Sequence, residues 1–235
     1  MSSSLRSRAS TTGITLLALL AFAPGARAGV PASFPAAGEL NQASVTVRAA
    51  PSGAARRVGV LTEFRPDFRR RVVLALAVRA DLRNAGRDWY RVTVPGRPNG
   101  RTGWIPAGAV TVRPTRSLIV VRRGARRLEL FHEGRLRLRT PAAVGAPGME
   151  TPLGLFHVAA RFRPVNPFLG VFALETSAYS RLSDWPGGGV VGIHGTNQPW
   201  SLGRAVSHGC VRVSNAAARV LEASAPVGTP IRIVR

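Results

Sequence analysis

The chain of 235 residues contains a single cysteine and no lysine. One cysteine excludes an intramolecular disulfide framework, so Cys210 does not have the structural role that paired cysteines have in exported proteins. All 33 basic residues are arginine, against 11 acidic residues, which gives a formal net charge of +22. An excess of this size attracts polyanions.

The sequence also lacks the patterns of common nucleic-acid and nucleotide-binding proteins. It has no zinc-finger spacing and no ribonucleoprotein motif, and its arginines are spread along the chain rather than gathered on one helix. It has no glycine-rich phosphate loop and no alternation of strands with helices. We therefore expect no nucleic-acid partner and no cofactor; if the protein is exported, the polyanions it meets are wall polymers and lipid head groups.

Long apolar runs are absent except near the start, where "GITLLALLAFA" occupies residues 13–23. Arg6 and Arg8 precede this run, and the small-residue sequence "ARA" ends at Ala28, as in a secretory signal. The run is shorter than the roughly 20 residues that span a bilayer. We predict a signal peptide at residues 1–28, no stable membrane span, and an exported chain that works in the cell wall or periplasm. An uncleaved signal that remains as an anchor is the alternative.

The rest of the chain divides by texture into a linker and two β-rich regions. Residues 29–42 are rich in Pro, Ala and Gly, which indicates a linker. Residues 43–113 contain short β-branched runs separated by turn residues, which predict a small barrel or sandwich. After a boundary near Pro114, the β texture continues through residues 114–235. The only convincing helix is "NAAARVLEASA", capped by Ser214, and "TPIRIVR" predicts a final strand. The predicted fold class is mainly β.

The cysteine lies in "GIHGTNQPWSLGRAVSHGCVRV", residues 192–213, which also holds His194 and His208. A thiol with a pKa near 8.5 is mostly protonated at neutral pH, and the thiolate is the nucleophile, so Cys210 needs a base or cation beside it. If "SHGCVRV" is extended, the side chains of His208 and Cys210 stand parallel and do not converge. A histidine from an adjoining loop can meet the sulfur directly, which favours His194.

Neighbouring residues extend this acyl-transfer interpretation. Gly209 allows the backbone to bend beside the thiol, so that amides around Gly209 and Cys210 can receive an oxyanion. Arg212 can grip a carboxylate. Two alternatives remain open: an inert buried thiol, and a zinc site formed by the cysteine with His194 and His208. Because the spacing matches no common zinc pattern, we expect no metal.

The same segment resembles the active-site signature of the L,D-transpeptidases. "TPLGLF" at residues 151–156 resembles that family's Thr-Pro-x-Gly-x-Phe segment, and "VGTPIRIV" resembles its usual ending. The resemblance covers residues 117–235 and implies a β-sandwich-like catalytic domain. "VRAAPS", "DWYRV" and "GWIPAGAV", within residues 43–113, resemble bacterial Src-homology-3-like domains, which accompany cell-wall enzymes.

The resemblance implies roles for individual residues. Cys210 corresponds to the nucleophile and His194 to the general base. Ser207 and His208 correspond to positions that support the site, and Gly209 corresponds to the oxyanion turn.

One position departs from part of the family, because Gly195 follows the base histidine where some members have serine. Either a backbone carbonyl or Thr196 then holds the imidazole ring, and the third member of the triad stays open. Arg212 and Trp200 are the candidate substrate-binding residues, although packing is an equal alternative for Trp200.

The implied substrate is the stem tetrapeptide of peptidoglycan. Attack on the bond after its third residue releases D-alanine and leaves a thioester, and an amine from a neighbouring stem then forms a 3-3 crosslink. Such an activity contributes to cell wall organization and cell shape. If water takes the acyl group, the reaction is carboxypeptidase hydrolysis. A non-catalytic wall-binding protein is the remaining alternative.

Overall fold

The computed structural model describes residues 33–81, 87–182, 184 and 188–235. These residues form two β-rich units, and their one α-helix is α1 (Asn215–Ser224). The predicted mainly β fold class is thus confirmed. The proposed signal at residues 1–28 lies outside the described ranges. No helix within those ranges is long and apolar enough to cross a membrane.

The first unit is a seven-stranded antiparallel sheet. Its strands are β1 (Ala36–Leu40), β2 (Ser44–Arg48), β3 (Arg57–Thr62), β4 (Val72–Arg79), β5 (Trp89–Thr93), β6 (Thr102–Pro106) and β7 (Val110–Pro114). Their order across the sheet is β3-β2-β6-β5-β4-β1-β7. Alternating apolar residues supply one core, in which Tyr90 and Ile105 are fully buried.

Strand β1 overturns part of the predicted linker at residues 29–42. Ala36 pairs with Ala75 of β4 on one side and with Pro114 of β7 on the other, and Ala36 and Leu40 are buried. The sequence "AAGEL" has no β-branched residue, so local propensity did not reveal a strand. Ladders on both sides override that propensity, and Gly38 fits because a Cβ there would collide with the carbonyl of Thr111.

The second unit begins at Ser117, three residues after the predicted boundary at Pro114, and is built around an eight-stranded sheet. Its order is β10-β9-β8-β17-β12-β13-β14-β16. The strands are β8 (Ser117–Arg122), β9 (Arg127–His132), β10 (Arg135–Pro141), β12 (Gly154–Phe162), β13 (Ala173–Tyr179), β14 (Val190–His194), β16 (Val211–Arg212) and β17 (Pro230–Val234). A separate parallel pair joins β11 (Val144–Gly145) to β15 (Ala205–Ser207).

The end of the chain follows the prediction closely. The Ser214 hydroxyl accepts a hydrogen bond from the amide of Ala217 at 3.1 Å and caps helix α1. The helix buries Ala217, Ala218 and Leu221 against the sheet. Strand β17 then inserts between β8 and β12, parallel to the first and antiparallel to the second.

Polar contacts of the hairpin loop between β5 and β6 join the two units. Arg97 Nη2 donates to the carbonyls of Ser180, Leu182 and Gly188 at 2.9, 3.0 and 3.0 Å. Asn99 donates to the carbonyl of Tyr179 at 2.6 Å and accepts from its amide at 3.0 Å. The loop of the first unit therefore fixes the end of β13.

We expect Asn99→Ala to weaken this junction by about 2 kcal/mol, because it removes two hydrogen bonds of about 1 kcal/mol each. Hydrogen exchange at the amide of Tyr179, which loses its acceptor, should then become about thirtyfold faster. Asn41→Ala changes an exposed asparagine away from the junction and is the matched control. Equal exchange at Tyr179 in both variants would contradict the assigned contact.

Candidate active site

Two adjacent parallel strands place the histidine and the cysteine on one face of the second sheet. In the pairing of β14 with β16, Ile193 lies opposite Val211 and His194 lies opposite Arg212. Since side chains alternate along a strand, the side chains of His194, Arg212 and the preceding Cys210 share a face. A Cβ built on Gly192 would lie 3.6 Å from His194 Cδ2 and 3.7 Å from Cys210 Sγ. The imidazole and the thiol are therefore neighbours.

A tight turn at residues 207–210 presents the sulfur. Gly209 has φ +116°, and a Cβ there would lie 3.0 Å from that of Ser180, so both conformation and space favour glycine. The Ser207 hydroxyl donates to the carbonyl of Cys210 at 2.5 Å and accepts from the amide of Gly209 at 3.2 Å. The segment is thus bent at His208 and Gly209 instead of extended, and the Gly209 amide is occupied, contrary to the expectation that it is free for an oxyanion.

The backbone carbonyl of Gly195 orients the imidazole ring. His194 Nδ1 donates to this carbonyl at 2.6 Å, which leaves Nε2 as the proton acceptor of the neutral ring. The Thr196 hydroxyl instead accepts from the amide of Gln198 at 3.0 Å. A side chain at position 195 would collide with Asn215 Oδ1, so glycine is required for this packing.

Burial sets the protonation states of the pair. His194 is 3% exposed, and burial lowers its pKa to about 4, with a further lowering from Arg212 and an opposing effect of the hydrogen bond to Gly195. Burial raises the pKa of the Cys210 thiol, against the effects of the Gly192 amide and Arg212. The resting pair is therefore a neutral thiol with a neutral imidazole. The physical reason is that a desolvated pocket disfavours both charged forms.

The guanidinium of Arg212 lies directly beside His194. It is 6% exposed, donates to Gln198 Oε1 at 2.9 Å and stacks on the Phe168 ring at 4.5 Å from its centroid. Its Nε has no hydrogen-bond partner within the described residues. This cation contributes a fixed positive charge to the face that carries the thiol.

These side chains open into one cavity of about 1030 Å³. Ser207, His208, Cys210 and Arg212 line it together with His194, and His208 is exposed. Trp200 is not brought into this lining among the described residues and is 57% exposed on a 3₁₀ turn, Pro199–Ser201. The proposed substrate contact of Trp200 therefore has no support from its position.

Three contributors to the site were not predicted from the sequence. The amide of Gly192 donates to Cys210 Sγ at 3.3 Å. The buried Thr151 hydroxyl donates to the carbonyl of Gly209 and accepts from the amide of Gly145, both at 2.9 Å. Phe168 stacks under Arg212 and lies 6.4 Å from the His194 ring. Thr151 and Gly192 had a signal, since they begin the "TPLGLF" segment and the segment at residues 192–213, whereas Phe168 had none.

The arrangement has the chemical capacity of a cysteine acyl-transfer enzyme: a thiol, an imidazole with a free Nε2, an amide donor at the sulfur and a cavity large enough for a peptide. Within the described residues, no group of three or more His, Cys, Asp or Glu side chains is placed to hold a metal ion.

Comparison with known proteins defines the family. Residues 116–233 match the L,D-transpeptidase catalytic domain. The chain is 32% identical over 176 residues to YkuD of Bacillus subtilis, a protein assigned to the L,D-transpeptidases, and the match covers 74% of this chain and 93% of that protein. The chain therefore belongs to the L,D-transpeptidase catalytic domain family.

More distant similarities involve mycobacterial proteins. L,D-transpeptidase 1 of Mycobacterium tuberculosis is 34% identical over 113 residues, which cover 41% of this chain and 42% of that protein. A solved L,D-transpeptidase from Mycobacterium smegmatis is 19% identical with a TM-score of 0.47, and the alignment covers 84% of this chain and 99% of that chain.

Proposed function

We propose that this protein is a peptidoglycan L,D-transpeptidase that forms 3-3 crosslinks from stem tetrapeptides through a thioester on Cys210. The observation that carries the proposal is the placement of His194 and Cys210 as neighbours in one cavity, within a chain of the L,D-transpeptidase family. We further propose that the protein is exported and works on the wall, on the basis of the signal-like residues 1–28 and the net charge of +22.

In the proposed mechanism, His194 acts as a general base. Its Nε2 takes the thiol proton as Cys210 Sγ attacks the carbonyl carbon of the third stem residue, so charge separates only as the new bond forms. The Gly192 amide, 3.3 Å from Sγ, stabilises the developing negative charge on sulfur. Because Ser207 occupies the amide of Gly209, the amide of Cys210 is the candidate donor to the oxyanion.

Collapse of this tetrahedral intermediate breaks the peptide bond. The imidazolium returns its proton to the departing nitrogen of D-alanine, and the acyl group remains on sulfur as a thioester. The neutral His194 then removes a proton from the amine of a second stem, which attacks the thioester and releases the Cys210 thiol after the proton returns from the ring. Attack by water at this stage gives the carboxypeptidase product.

The remaining residues position these groups. We assign the Gly195 carbonyl as the third member of the triad, because it holds the ring through Nδ1. Arg212, with a buried Nε that lacks a partner among the described residues, is the candidate to bind a substrate carboxylate. The seven-stranded first unit is proposed to be a Src-homology-3-like module, and its arginines are candidates for contact with anionic wall polymers.

Incubation of the protein with purified tetrapeptide muropeptides tests the proposal. We expect release of D-alanine and crosslinked dimers of the matching mass, with a thioester on Cys210 in the trapped intermediate. Monomeric tripeptide without dimers would establish hydrolysis as the dominant reaction. If the protein neither releases D-alanine nor becomes acylated, the proposed function is wrong; zinc bound in stoichiometric amount would favour the metal-site alternative.

A further inference from the structure

The first unit forms one wall of the cavity that contains the thiol. Leu61, Arg71, Val94 and Arg101 line this wall, and His157 and Glu175 of the second unit line the same cavity. His157 is buried against the first unit, with its Nδ1 3.4 Å from the Thr93 hydroxyl. The volume of about 1030 Å³ is at the upper end for a small-molecule site and fits a peptide that reaches both walls.

The charges on this wall are unevenly balanced. Arg65 also lines the cavity, but Asp67 at 3.1 Å and Glu175 pair with its guanidinium. Arg71 and Arg101 form no ion pair within the described part of the chain, which leaves two arginines of this wall without a carboxylate partner.

Both arginines line the cavity, and hydrogen bonds to neutral groups fix their guanidinium groups. Arg71 donates from Nε to the carbonyl of Thr62 at 2.8 Å and from Nη2 to the Thr62 hydroxyl at 3.3 Å. Arg101 donates from Nη2 to the carbonyl of Pro95 at 3.1 Å, and its buried Nε has no partner among the residues that the structure describes. Both groups are therefore placed by the fold while part of their donor capacity stays unused.

Partial burial of these two cations costs free energy when no anion lies beside them. Burial lowers the pKa of Arg71 and repulsion from Arg65 lowers it further, while Tyr179 and Asp67 act in the opposite direction. A desolvated cation is stabilised by a counter-charge, and the planar guanidinium matches a carboxylate best. Among the described residues no carboxylate lies within ion-pair distance of Arg71 or Arg101, and a ligand of the cavity can supply one.

We infer that Arg71 and Arg101 bind a carboxylate of the stem peptide upstream of the scissile bond, so that the first unit forms part of the substrate site and determines specificity. This inference rests on the proposed function, because the peptide is the substrate assigned there. Arg212 lies beside the thiol on the opposite wall, so its carboxylate contact is a separate one.

A binding comparison tests this assignment. The probes are a stem tetrapeptide with a free carboxylate upstream of the scissile bond and the same peptide with only that carboxylate amidated. Dissociation constants are measured by calorimetry with the full chain carrying Cys210→Ala, which prevents turnover. We expect the free peptide to bind at least about tenfold more tightly than the amidated one.

Variants test whether the preference for the free carboxylate comes from Arg71 and Arg101 or from the general positive charge of the protein. In Arg71→Ala/Arg101→Ala the two peptides should bind equally, and Arg71→Lys/Arg101→Lys should restore part of the preference. Arg91→Ala is the matched control, because Arg91 is exposed on β5, bonds a threonine hydroxyl as Arg71 does, and lies outside the cavity lining. It should keep the full preference.

Two results would overturn the inference: equal binding of both peptides to the parent, or an undiminished preference in the folded double variant. Near-ultraviolet circular dichroism establishes whether the variants are folded. If Arg71→Ala/Arg101→Ala does not fold, the preference of Arg71→Lys/Arg101→Lys for the free peptide is compared with that of the parent instead. Absence of D-alanine release by the chain with Cys210 intact counts against the proposed function instead, so the two failures are distinguishable.

Discussion

Cys210→Ala is expected to abolish D-alanine release and dimer formation, with a loss of at least about 10⁴-fold in kcat. The reason is that the thioester cannot form without the sulfur, and no second cysteine exists in the chain to replace it. The sulfur accepts one hydrogen bond, from the Gly192 amide, so its removal leaves the surrounding turn largely intact. Cys210→Ser should be nearly as inactive, since a hydroxyl is a far weaker nucleophile than a thiol.

Thermal unfolding supplies the control for this prediction. Because Ser207, Gly209 and Thr151 hold the turn through main-chain and hydroxyl contacts, both variants should unfold within about 1 °C of the parent. Retention of D-alanine release in a folded Cys210→Ala protein would exclude the thioester mechanism outright.

The structure places the predicted pair, Cys210 and His194, as neighbours, and the prediction has a physical basis. The pair was predicted because a lone thiol in a chain with a signal-like start needs a chemical reason, and because the segment around it resembles a family signature. Ser214 and the final strand were found because caps and alternating apolar residues act over a few positions. Each of these signals is local in the sequence.

The features that were missed depend on residues far apart in the chain. Strand β1 exists because β4 and β7 flank it, which "AAGEL" alone does not reveal. The neutral state of the thiol and imidazole follows from burial, which arises only when β14 and β16 pair. Arg71 and Arg101 reach the cavity through the packing of two units, so no spacing in the sequence identifies them among 33 basic residues.

His194→Ala is expected to reduce kcat/KM for D-alanine release by 10²- to 10⁴-fold, the usual contribution of a positioned general base. His208→Ala should have a smaller effect, because His208 is exposed while His194 is buried and fixed by the Gly195 carbonyl. His132→Ala, a change of a histidine that contacts Ser117 away from the cavity, is the matched control and should be neutral. A larger loss in His208→Ala than in His194→Ala would show that His194 is not the general base.

The pH profile of the parent protein distinguishes a neutral pair from an ion pair. A base with a pKa of about 4 is already neutral at pH 5, so its protonation reduces the rate only as the pH falls toward 4. Because burial raises the pKa of the thiol, the rate gains nothing from thiolate formation near neutrality. We therefore expect kcat/KM to be flat between about pH 5 and pH 8, a range that lies above the pKa of His194 and below the raised pKa of the thiol. A rise in kcat/KM centred near pH 6.5 would instead show a solvated imidazole of ordinary pKa. The buried position of His194 would then not describe the free enzyme.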